Sequence, residues 1–284
     1  MRVLIDGDVI CYRVGYASDS DDLSVAIHRC DSMLDGILES TEANNFRLFL
    51  TDSARNFRRE VWPLYHANRT KEKPRWYGEI KDYLINEWHA ELAVEQEADD
   101  ALGIYQDKMH NTTVIASIDK DLKQIPGLHF NFVTDTWAEV TETEGIYWFY
   151  KQMLQGDPVD NVQGVPGIGA AKAEKRLAGL TTELELFNVV RDAYHQVFTK
   201  MGLTPQDIDD LIVRNGRLLY IRKKIGEVWS PPIQLTIPPL ESTQEKPEES
   251  IQSTEHILPE TMNGYVLHGL PPVESLPTDY AALT

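Results

Sequence analysis

Aspartates and glutamates stand at recurring positions along the first 160 residues of the chain. Asp6 follows the apolar run at residues 3–5, and Asp52 follows a second apolar run at residues 46–51. A lone aspartate at the end of a strand is most often a turn or cap residue. Carboxylate oxygens are also the ligands that Mg²⁺ and Mn²⁺ prefer, so several of them brought together by a fold indicate a divalent-metal site.

A denser acidic group lies at Glu97, Asp99 and Asp100. On a helix Glu97 and Asp100 share one face while Asp99 points about 100° away, so this motif can serve two neighbouring ions. Asp119 and Asp121 are two residues apart, and in an extended segment they point to the same side. The complete predicted ligand set is Asp6, Asp52, Glu97, Asp99, Asp100, Asp119, Asp121, Asp157 and Asp160.

This set contains neither cysteine nor histidine, which favours two Mg²⁺ ions, with Mn²⁺ as a substitute. Two such ions about 3.5–4 Å apart can clamp the attacking and leaving oxygens of a phosphodiester displacement and lower the pKa of the attacking water. The acids therefore predict a nuclease mechanism.

A glycine-rich turn follows the last two acids of the set. Gly164, Gly167 and Gly169 let the backbone approach a ligand closely, and the N–H groups at the start of the next helix, which carries Lys172, form an anion site. Carboxylates beside an anion site repel phosphate unless a divalent cation lies between them. The juxtaposition predicts metal on one side and nucleic-acid backbone on the other.

Basic and aromatic residues alternate between residues 55 and 77. Bases can stack on such rings while the cations hold backbone phosphates. The DNA-binding side chains predicted here are Arg55, Arg58, Arg59, Lys71 and Lys73. The formal net charge of −18 argues against non-specific binding of nucleic acid. The basic residues are clustered, however, in this segment and again at residues 214–224. Nucleic-acid binding therefore depends on the local charge of these segments and not on the net charge of the chain.

Strand-like and helix-like segments alternate along the chain, which predicts an α/β fold with a mostly parallel central sheet flanked by helices. In such sheets ligands bind at the carboxyl ends of the strands, where four of the aspartates fall. The predicted strands are residues 3–5, 46–52, 113–118 and 129–133, and the predicted helical segments are residues 23–38, 78–89, 95–109 and 184–220.

Composition indicates the compartment. Cys11 and Cys30 cannot form a disulfide framework, and the chain has no cluster with zinc-ligand spacing. No apolar stretch of about 20 residues is present, so we expect a cytoplasmic protein with no membrane contact, in the host cytoplasm if it is encoded by a phage.

Five motifs together carry a family resemblance over roughly residues 3–229. They are Val3-Leu4-Ile5-Asp6-Gly7, the run from Asp52 through Phe57-Arg58 to Tyr65-His66-Ala67-Asn68-Arg69, Glu97-Ala98-Asp99-Asp100, Ser117-Ile118-Asp119-Lys120-Asp121-Leu122, and residues 156–169. The chain resembles the 5′-nuclease superfamily of flap endonucleases and the 5′-nuclease domain of bacterial DNA polymerase. It looks most similar to the small phage 5′-3′ exonucleases.

The resemblance implies roles for individual residues. Arg69 matches a gateway arginine that contacts the scissile phosphate, with Tyr65 beside it, and His66 stands where the family commonly has a lysine that assists catalysis. Asp157 and Asp160 would hold the second ion. The turn at residues 164–169 looks like a helix-three-turn-helix, which grips duplex DNA and often holds K⁺ through carbonyls.

The resemblance also implies a division of the chain. We expect an α/β, PIN-like nuclease core at residues 1–155 with an arch region at about 55–80, and a helix-three-turn-helix DNA-binding part at 156–230. An acidic, disordered tail is expected at 231–284, where Pro, Glu, Ser and Thr dominate. Within it Tyr265-Val266-Leu267 is a candidate anchor for a replication partner.

The predicted function is a Mg²⁺-dependent 5′-3′ exodeoxyribonuclease that acts on duplex DNA ends, with 5′ flaps and RNA–DNA hybrids as further substrates, in phage DNA replication or host DNA degradation. Two alternatives stay open. Ile5-Asp6-Gly7-Asp8-Val9 resembles the nucleophile motif of haloacid-dehalogenase-like phosphatases, with Asp6 as nucleophile and Asp8 as general acid. A non-catalytic, structure-specific DNA-binding protein is the other.

Overall fold

The computed structural model describes residues 1–52, 54–109 and 112–233. These residues fall within one compact unit, Met1–Pro238. The predicted boundary between residues 155 and 156 remains a prediction. The predicted tail lies outside the described residues, apart from its first three positions.

A six-stranded sheet forms the centre of the fold, in the order β3-β2-β1-β4-β5-β6. Neighbouring strands from β3 to β5 are parallel, and β6 is antiparallel to β5. The strands are β1 Arg2–Asp6, β2 Asn45–Thr51, β3 Glu91–Ala93, β4 Thr113–Ala116, β5 Gly127–Asn131 and β6 Thr136–Val140. The prediction of a mostly parallel central sheet is thus confirmed.

Helices cover both faces of this sheet because successive side chains of β1 point to opposite sides. Val3 and Ile5 pack into one core with α1, α2 and α4, whereas Leu4 packs into a second core with α5. The helices are α1 Gly7–Ala17, α2 Leu23–Ser40, α3 Phe57–Val61, α4 Tyr77–Asn86, α5 Ala98–Lys108, α6 Glu142–Gln155, α7 Ala170–Leu177, α8 Glu183–Phe198 and α9 Pro205–Leu219.

A third core lies among α6, α8 and α9 and centres on Tyr150, Phe187 and Tyr194. The Tyr194 hydroxyl donates to the Met153 carbonyl at 2.8 Å and accepts from the Asn215 side-chain amide at 3.0 Å, which ties the three helices together. Each of these helices begins with a capping box, in which a threonine and an acid three residues later bond each other's backbone N–H.

A short antiparallel hairpin, β7 Gly156–Asp157 and β8 Val162–Gln163, separates α6 from α7. A Cβ atom on Gly164 would lie 2.3 Å from the Gly156 backbone nitrogen, so a side chain there would prevent the close approach. Gly167, in the turn that leads to α7, has a φ of +80°, a value that favours glycine.

None of the helices in the described ranges has both the length and the apolar composition needed to cross a bilayer. Cys11 and Cys30 are buried free thiols.

Candidate active site

Asp6 occupies the junction between β1 and α1. Its backbone is extended, and its Oδ1 accepts a hydrogen bond from Val9 N at 3.2 Å, so the aspartate caps the helix. The helix starts at the next residue, Gly7, where a Cβ atom would lie 2.6 Å from the Phe49 carbonyl of β2. Asp6 is consequently held at the carboxyl edge of the sheet, and its Oδ2 accepts from the Ser117 hydroxyl at 2.7 Å.

Asp119 and Asp121 reach the same edge from the adjacent strand, β4. The chain turns sharply after the strand, because Asp119 Oδ1 accepts from Asp121 N at 2.7 Å, and Asp121 starts a short 3₁₀ helix, Asp121–Gln124. The sequence predicted an extended segment here. A side-chain hydrogen bond to the backbone two residues on replaces the extended form.

Asp99 lies in the first turn of α5 and contributes a further acid to this group. Burial, with the charges of Asp119 and Asp6 nearby, raises the pKa of Asp99 well above its usual range. Burial and the charges of Asp8 and Asp119 raise the pKa of Asp6 to about 7. Burial and the charges of Asp119 and Asp157 raise the pKa of Asp121 to about 8.

We call Asp6, Asp99, Asp119 and Asp121 the carboxylate cluster. Within the described residues no three His, Cys, Asp or Glu side chains lie in an arrangement that would hold a metal ion without movement. The donor set nevertheless fits a divalent cation, because it is all oxygen and the charge of Asp119 raises the pKa of Asp6, Asp99 and Asp121. A bound cation would reverse that repulsion.

A second acidic group beside the cluster is already paired with cations. Asp160 Oδ1 lies 2.6 Å from Arg69 Nη2 and 3.1 Å from His66 Nε2. Burial alone would raise the pKa of Asp160, but the ring of His66 and the guanidinium of Arg69 outweigh it and hold the pKa at about 2. The Tyr65 hydroxyl donates to Asp160 Oδ2 at 3.0 Å and lies 3.1 Å from Glu97 Oε2, so it links these two acids.

His66 adopts a backbone conformation that is uncommon for a residue with a side chain, with a φ of +63°. Its ring stacks on that of Tyr65 with 3.9 Å between the ring centroids, and its backbone N–H donates to the Asp160 carbonyl at 3.1 Å. The surrounding contacts thus hold a strained residue beside the acids, which is common at functional sites.

Asp100 and Arg58 have a different place from the one the sequence predicted. The two side chains form a buried, bidentate ion pair with distances of 2.6 and 3.0 Å, and Asp100 also accepts from Glu97 N and Arg222 N. Arg58 donates further to the carbonyls of Leu218 and Tyr220. Because Asp100 has 0% and Arg58 2% of its side chain exposed, we reassign both from ligand and DNA contact to structural roles.

Asp52 lies directly after the last residue of β2. It accepts from Ala54 N at 2.9 Å and so caps the turn after β2. Strand β2 is the direct neighbour of β1, and Ala98 N donates to Thr51 Oγ1 at 2.9 Å, so the residue before Asp52 contacts the start of the helix that carries Asp99. The role of Asp52 as a metal ligand stays a prediction.

The remaining predicted DNA-binding residues lie on the surface with varied contacts. Arg55 pairs with Glu95 at 3.1 Å, and Arg59 is exposed. Lys71 and Lys73 lie over the rings of Tyr16 and Tyr77 at 4.1 and 4.0 Å.

The turn predicted to hold K⁺ through its carbonyls contains an internal cation contact. The Lys172 ammonium donates to the Gly167 carbonyl at 2.8 Å. One of the carbonyls of this turn therefore already binds a cation. Gly169 is the N-cap residue of α7 and is exposed.

Two amides at the site were not predicted from the sequence. Gln152 of α6 donates to Asp121 Oδ1 at 2.8 Å, and Asn56 donates to Glu97 Oε1 at 2.9 Å. The capping-box pattern from Thr141 to Glu144 signals the start of α6, and with it the helix that carries Gln152.

Comparisons with known proteins identify the family of the chain. Residues 1–151 match the model of the family described as 5′-3′ exonuclease, N-terminal resolvase-like domain. An exodeoxyribonuclease of Enterobacteria phage T3 is 35% identical over 132 residues, which cover 43% of each chain, so the match spans under half of that relative. A 5′-3′ exonuclease of Buchnera aphidicola subsp. Schizaphis graminum is 26% identical over 247 residues, 78% of this chain and 80% of that one.

Solved structures support the fold. The phage T5 D15 protein, co-crystallised with metal ions, has a TM-score of 0.59 and 18% identity over 77% of this chain and 88% of that chain. Because the matching family model covers more than half of the 284 residues, the chain belongs to the family of the 5′-3′ exonuclease N-terminal, resolvase-like domain.

Proposed function

We propose that this protein is a Mg²⁺-dependent 5′-3′ exodeoxyribonuclease that hydrolyses phosphodiester bonds at duplex DNA ends, with 5′ flaps and RNA–DNA hybrids as further substrates. The observation that carries the proposal is the carboxylate cluster, whose like charges lie at the carboxyl edge of a parallel sheet. Phage DNA replication or degradation of host DNA is the biological setting we propose.

The residues that would hold divalent ions are the carboxylate cluster together with Asp157, Asp160 and Glu97. Two Mg²⁺ or Mn²⁺ ions bound there would neutralise the scissile phosphate and lower the pKa of the attacking water. Asp157 is 7% exposed, and its Oδ1 accepts from Val159 N at 2.8 Å, which fixes the carboxylate in place.

Arg69 is the side chain best placed to contact the scissile phosphate. It is 44% exposed while bonded to Asp160, so part of the guanidinium faces solvent, and a guanidinium binds phosphate oxygens in a fork. His66 supplies a second positive charge when protonated. Tyr65 is 3% exposed, and its contacts are to acids, so its role is to position Glu97 and Asp160.

The segment from α6 through the hairpin to α7 is proposed to grip duplex DNA as a helix-three-turn-helix. It combines an exposed turn at Gly167, the start of a helix and the basic residues Lys172 and Lys175. K⁺ at this turn is part of the proposal. The phage T5 D15 flap endonuclease, with a TM-score of 0.56, was solved as a complex with DNA and metal ions, which supports DNA and a metal ion of unspecified identity as ligands of this fold.

Family membership removes the support for the haloacid-dehalogenase-like alternative. The local geometry argues the same way, because both oxygens of Asp8 lie 3.2 Å from Thr51 N, which leaves the carboxylate bonded to the backbone of β2. The non-catalytic DNA-binding alternative differs from the nuclease in that it binds DNA without cleaving it.

Cleavage of 5′-labelled blunt duplex and 5′-flap DNA, with Mg²⁺ or with EDTA, tests the proposal. We expect short 5′ products from the wild type with Mg²⁺ alone, and no products from Asp119→Asn. DNA binding without cleavage of either substrate by the wild type would contradict the proposal and favour the binding protein.

A trimmed chain that ends at Pro232 tests the proposed partner contact of the tail, since unchanged association with polymerase or helicase would reject it.

A further inference from the structure

We propose that a single-stranded 5′ end reaches the carboxylate cluster from the side and is not threaded through a closed opening. The residues that decide this are 69–76, which we call the strap and which join the site to α4. The inference rests on the proposed nuclease function and narrows its substrates.

The strap is packed directly on α1 at Gly15. Pro74 is buried, and a Cβ atom added to Gly15 would lie 2.7 Å from Pro74 Cβ and 2.9 Å from Pro74 Cγ. Real Cβ atoms do not approach that closely, so the pyrrolidine ring sits in a notch that exists because residue 15 has no side chain. No space for a nucleotide remains between the strap and the helix at this point.

Three hydrogen bonds hold the same part of the strap. The Tyr16 hydroxyl donates to the Glu72 carbonyl at 3.2 Å, and Arg75 N donates to Asp19 Oδ1 at 2.9 Å. The Trp76 indole N–H donates to the Asp21 carbonyl at 2.9 Å. The strap is therefore bonded to α1 and to the connection between α1 and α2.

Every second residue of the strap adds a contact between a cation and an aromatic ring. Lys71 lies over Tyr16 and Lys73 over Tyr77, as described above, and the Arg75 guanidinium lies 4.1 Å from the ring centroid of Trp76. Such contacts are weakly stabilising at exposed sites. The Lys71 contact joins the strap to α1 and adds to the packing of Pro74, whereas the Lys73 contact joins it to α4 and the Arg75 contact lies within the strap.

The other end of the strap is fixed at the site. Arg69 is bonded to Asp160, and Asn68 just before it donates to the Pro158 carbonyl. Asn161 Nδ2 donates to the Leu64 carbonyl at 2.8 Å, so the preceding segment is also held against the hairpin.

Between the Arg69 contact and the Glu72 contact the strap has only two intervening residues, Thr70 and Lys71. Three residue steps span about 10 Å when fully extended, so the backbone has no slack to rise over a strand and enclose it. A 5′ strand must therefore approach beside the strap, and bulk at its terminus cannot hinder it.

A flap with a blocked end tests this directly. A 5′-flap substrate carries a terminal biotin, and streptavidin is added before the full-length protein and Mg²⁺, with the same flap without streptavidin as the control. We expect equal rates of cleavage within about twofold, because no opening has to be traversed. A blocked flap that is cut about tenfold or more slowly than the free flap would overturn the inference.

Failure of this inference is distinguishable from failure of the proposed function. If the free flap is cut and the blocked flap is not, the nuclease stands and the inference falls. If blunt duplex is cut and neither flap is, the single strand does not reach the cluster, and the inference again falls. If no substrate is cut, the proposed function itself fails and the inference falls with it.

Limited trypsin digestion tests the docked strap without relying on activity. Gly15→Ala forces Pro74 to move, so we expect faster cleavage after Arg69, Lys71 and Arg75 than in the wild type. Gly36→Ala in α2 is the matched control, because a Cβ atom there meets nothing within 4 Å. Equal digestion rates for the wild type and both variants would contradict the docking of the strap on α1.

Discussion

Two neighbouring groups of acids in this molecule differ in whether a cation already neutralises them. Asp100 is bonded to the buried guanidinium of Arg58, and Asp160 to Arg69. Among the described residues no arginine forms such a pair with the carboxylate cluster, and burial with like charge raises the pKa of Asp6 to about 7 and of Asp121 to about 8. The difference teaches that Asp100, whose counter-charge is buried with it, holds the structure, while the acids of the cluster are left to bind an external cation.

The largest expected effect comes from removing one charge of the cluster. Asp119→Asn should lower the rate of DNA cleavage by about 10³-fold, the order of loss when a group that stabilises transition-state charge is removed. Single-turnover cleavage with Mg²⁺ measures it. Asp35→Asn is the matched control, because Asp35 is exposed on α2 and is not one of the predicted ligands. A loss as large in the control would show that the effect is not specific to the cluster.

Removing the partner of a paired acid should lower the stability of the folded protein. Arg58→Met leaves Asp100 buried without its partner, which should lower the free energy of unfolding by about 3–5 kcal/mol. Urea unfolding measures this, with Arg55→Met as the control, since the exposed pair of Arg55 with Glu95 contributes about 0–1 kcal/mol. Equal changes in the two variants would contradict the structural role that we give to Arg58.

The two groups should also differ in pH dependence. The folded protein holds protons on Asp6 and Asp121 that the unfolded chain releases near pH 4, so the metal-free protein should lose stability as pH rises from about 4 to 8, by several kcal/mol. Asp160, with its pKa at about 2, stabilises above pH 4 and loses that contribution only in stronger acid.

Thermal unfolding across this pH range, with EDTA or with Mg²⁺, separates these contributions. Mg²⁺ should restore the stability lost at pH 8, because it replaces the protons on the cluster. Stability that rises with pH in EDTA would contradict the raised pKa values.

A smaller effect is expected at His66. Because the charge of a histidine fades as pH rises, His66→Lys should raise the cleavage rate a few-fold at alkaline pH and leave it little changed in mild acid. The pH–rate profile of wild type and variant is the measurement. Identical profiles would mean that no positive charge at this position assists the reaction.

The smallest effect is expected at the turn before α7. Lys172→Met removes the internal cation from the Gly167 carbonyl, a change of about 1 kcal/mol, and should make duplex binding more sensitive to the concentration of K⁺. Titration of duplex DNA in K⁺ and in a large organic cation at equal ionic strength measures this. If the ratio of the affinities in the two cations is the same for the wild type and the variant, Lys172 has no influence on K⁺ binding at this turn.

Sequence patterns predicted the central elements because their apolar runs are buried on both sides, as in β1, β2 and β4. They did not predict β6, an exposed edge strand in which four of five residues lie open to solvent. Helix α1 was missed as well, because it begins directly after Asp6 and leaves no loop to mark the boundary.

The sequence indicated candidate acids by their residue types and their order along the chain. It did not indicate which side chains bond to them. Sequence spacing placed Asp100 among the ligands, and no local signal reveals that Arg58, 42 residues earlier, neutralises it. The same holds for Gln152 and Asp121, which lie on different elements and meet only in the fold. The spacing of residues along the chain does not reveal which distant residues form contacts in the fold.

The central claim is that the carboxylate cluster binds a divalent cation, while Asp100 is already neutralised by Arg58 and does not. Binding of Mn²⁺ to the DNA-free protein at pH 8, followed by electron paramagnetic resonance, tests it most directly. We predict that the wild type and Arg55→Met bind Mn²⁺, and that the double variant Asp6→Asn with Asp119→Asn does not. Equal binding by the double variant, or no binding by the wild type, would contradict the account.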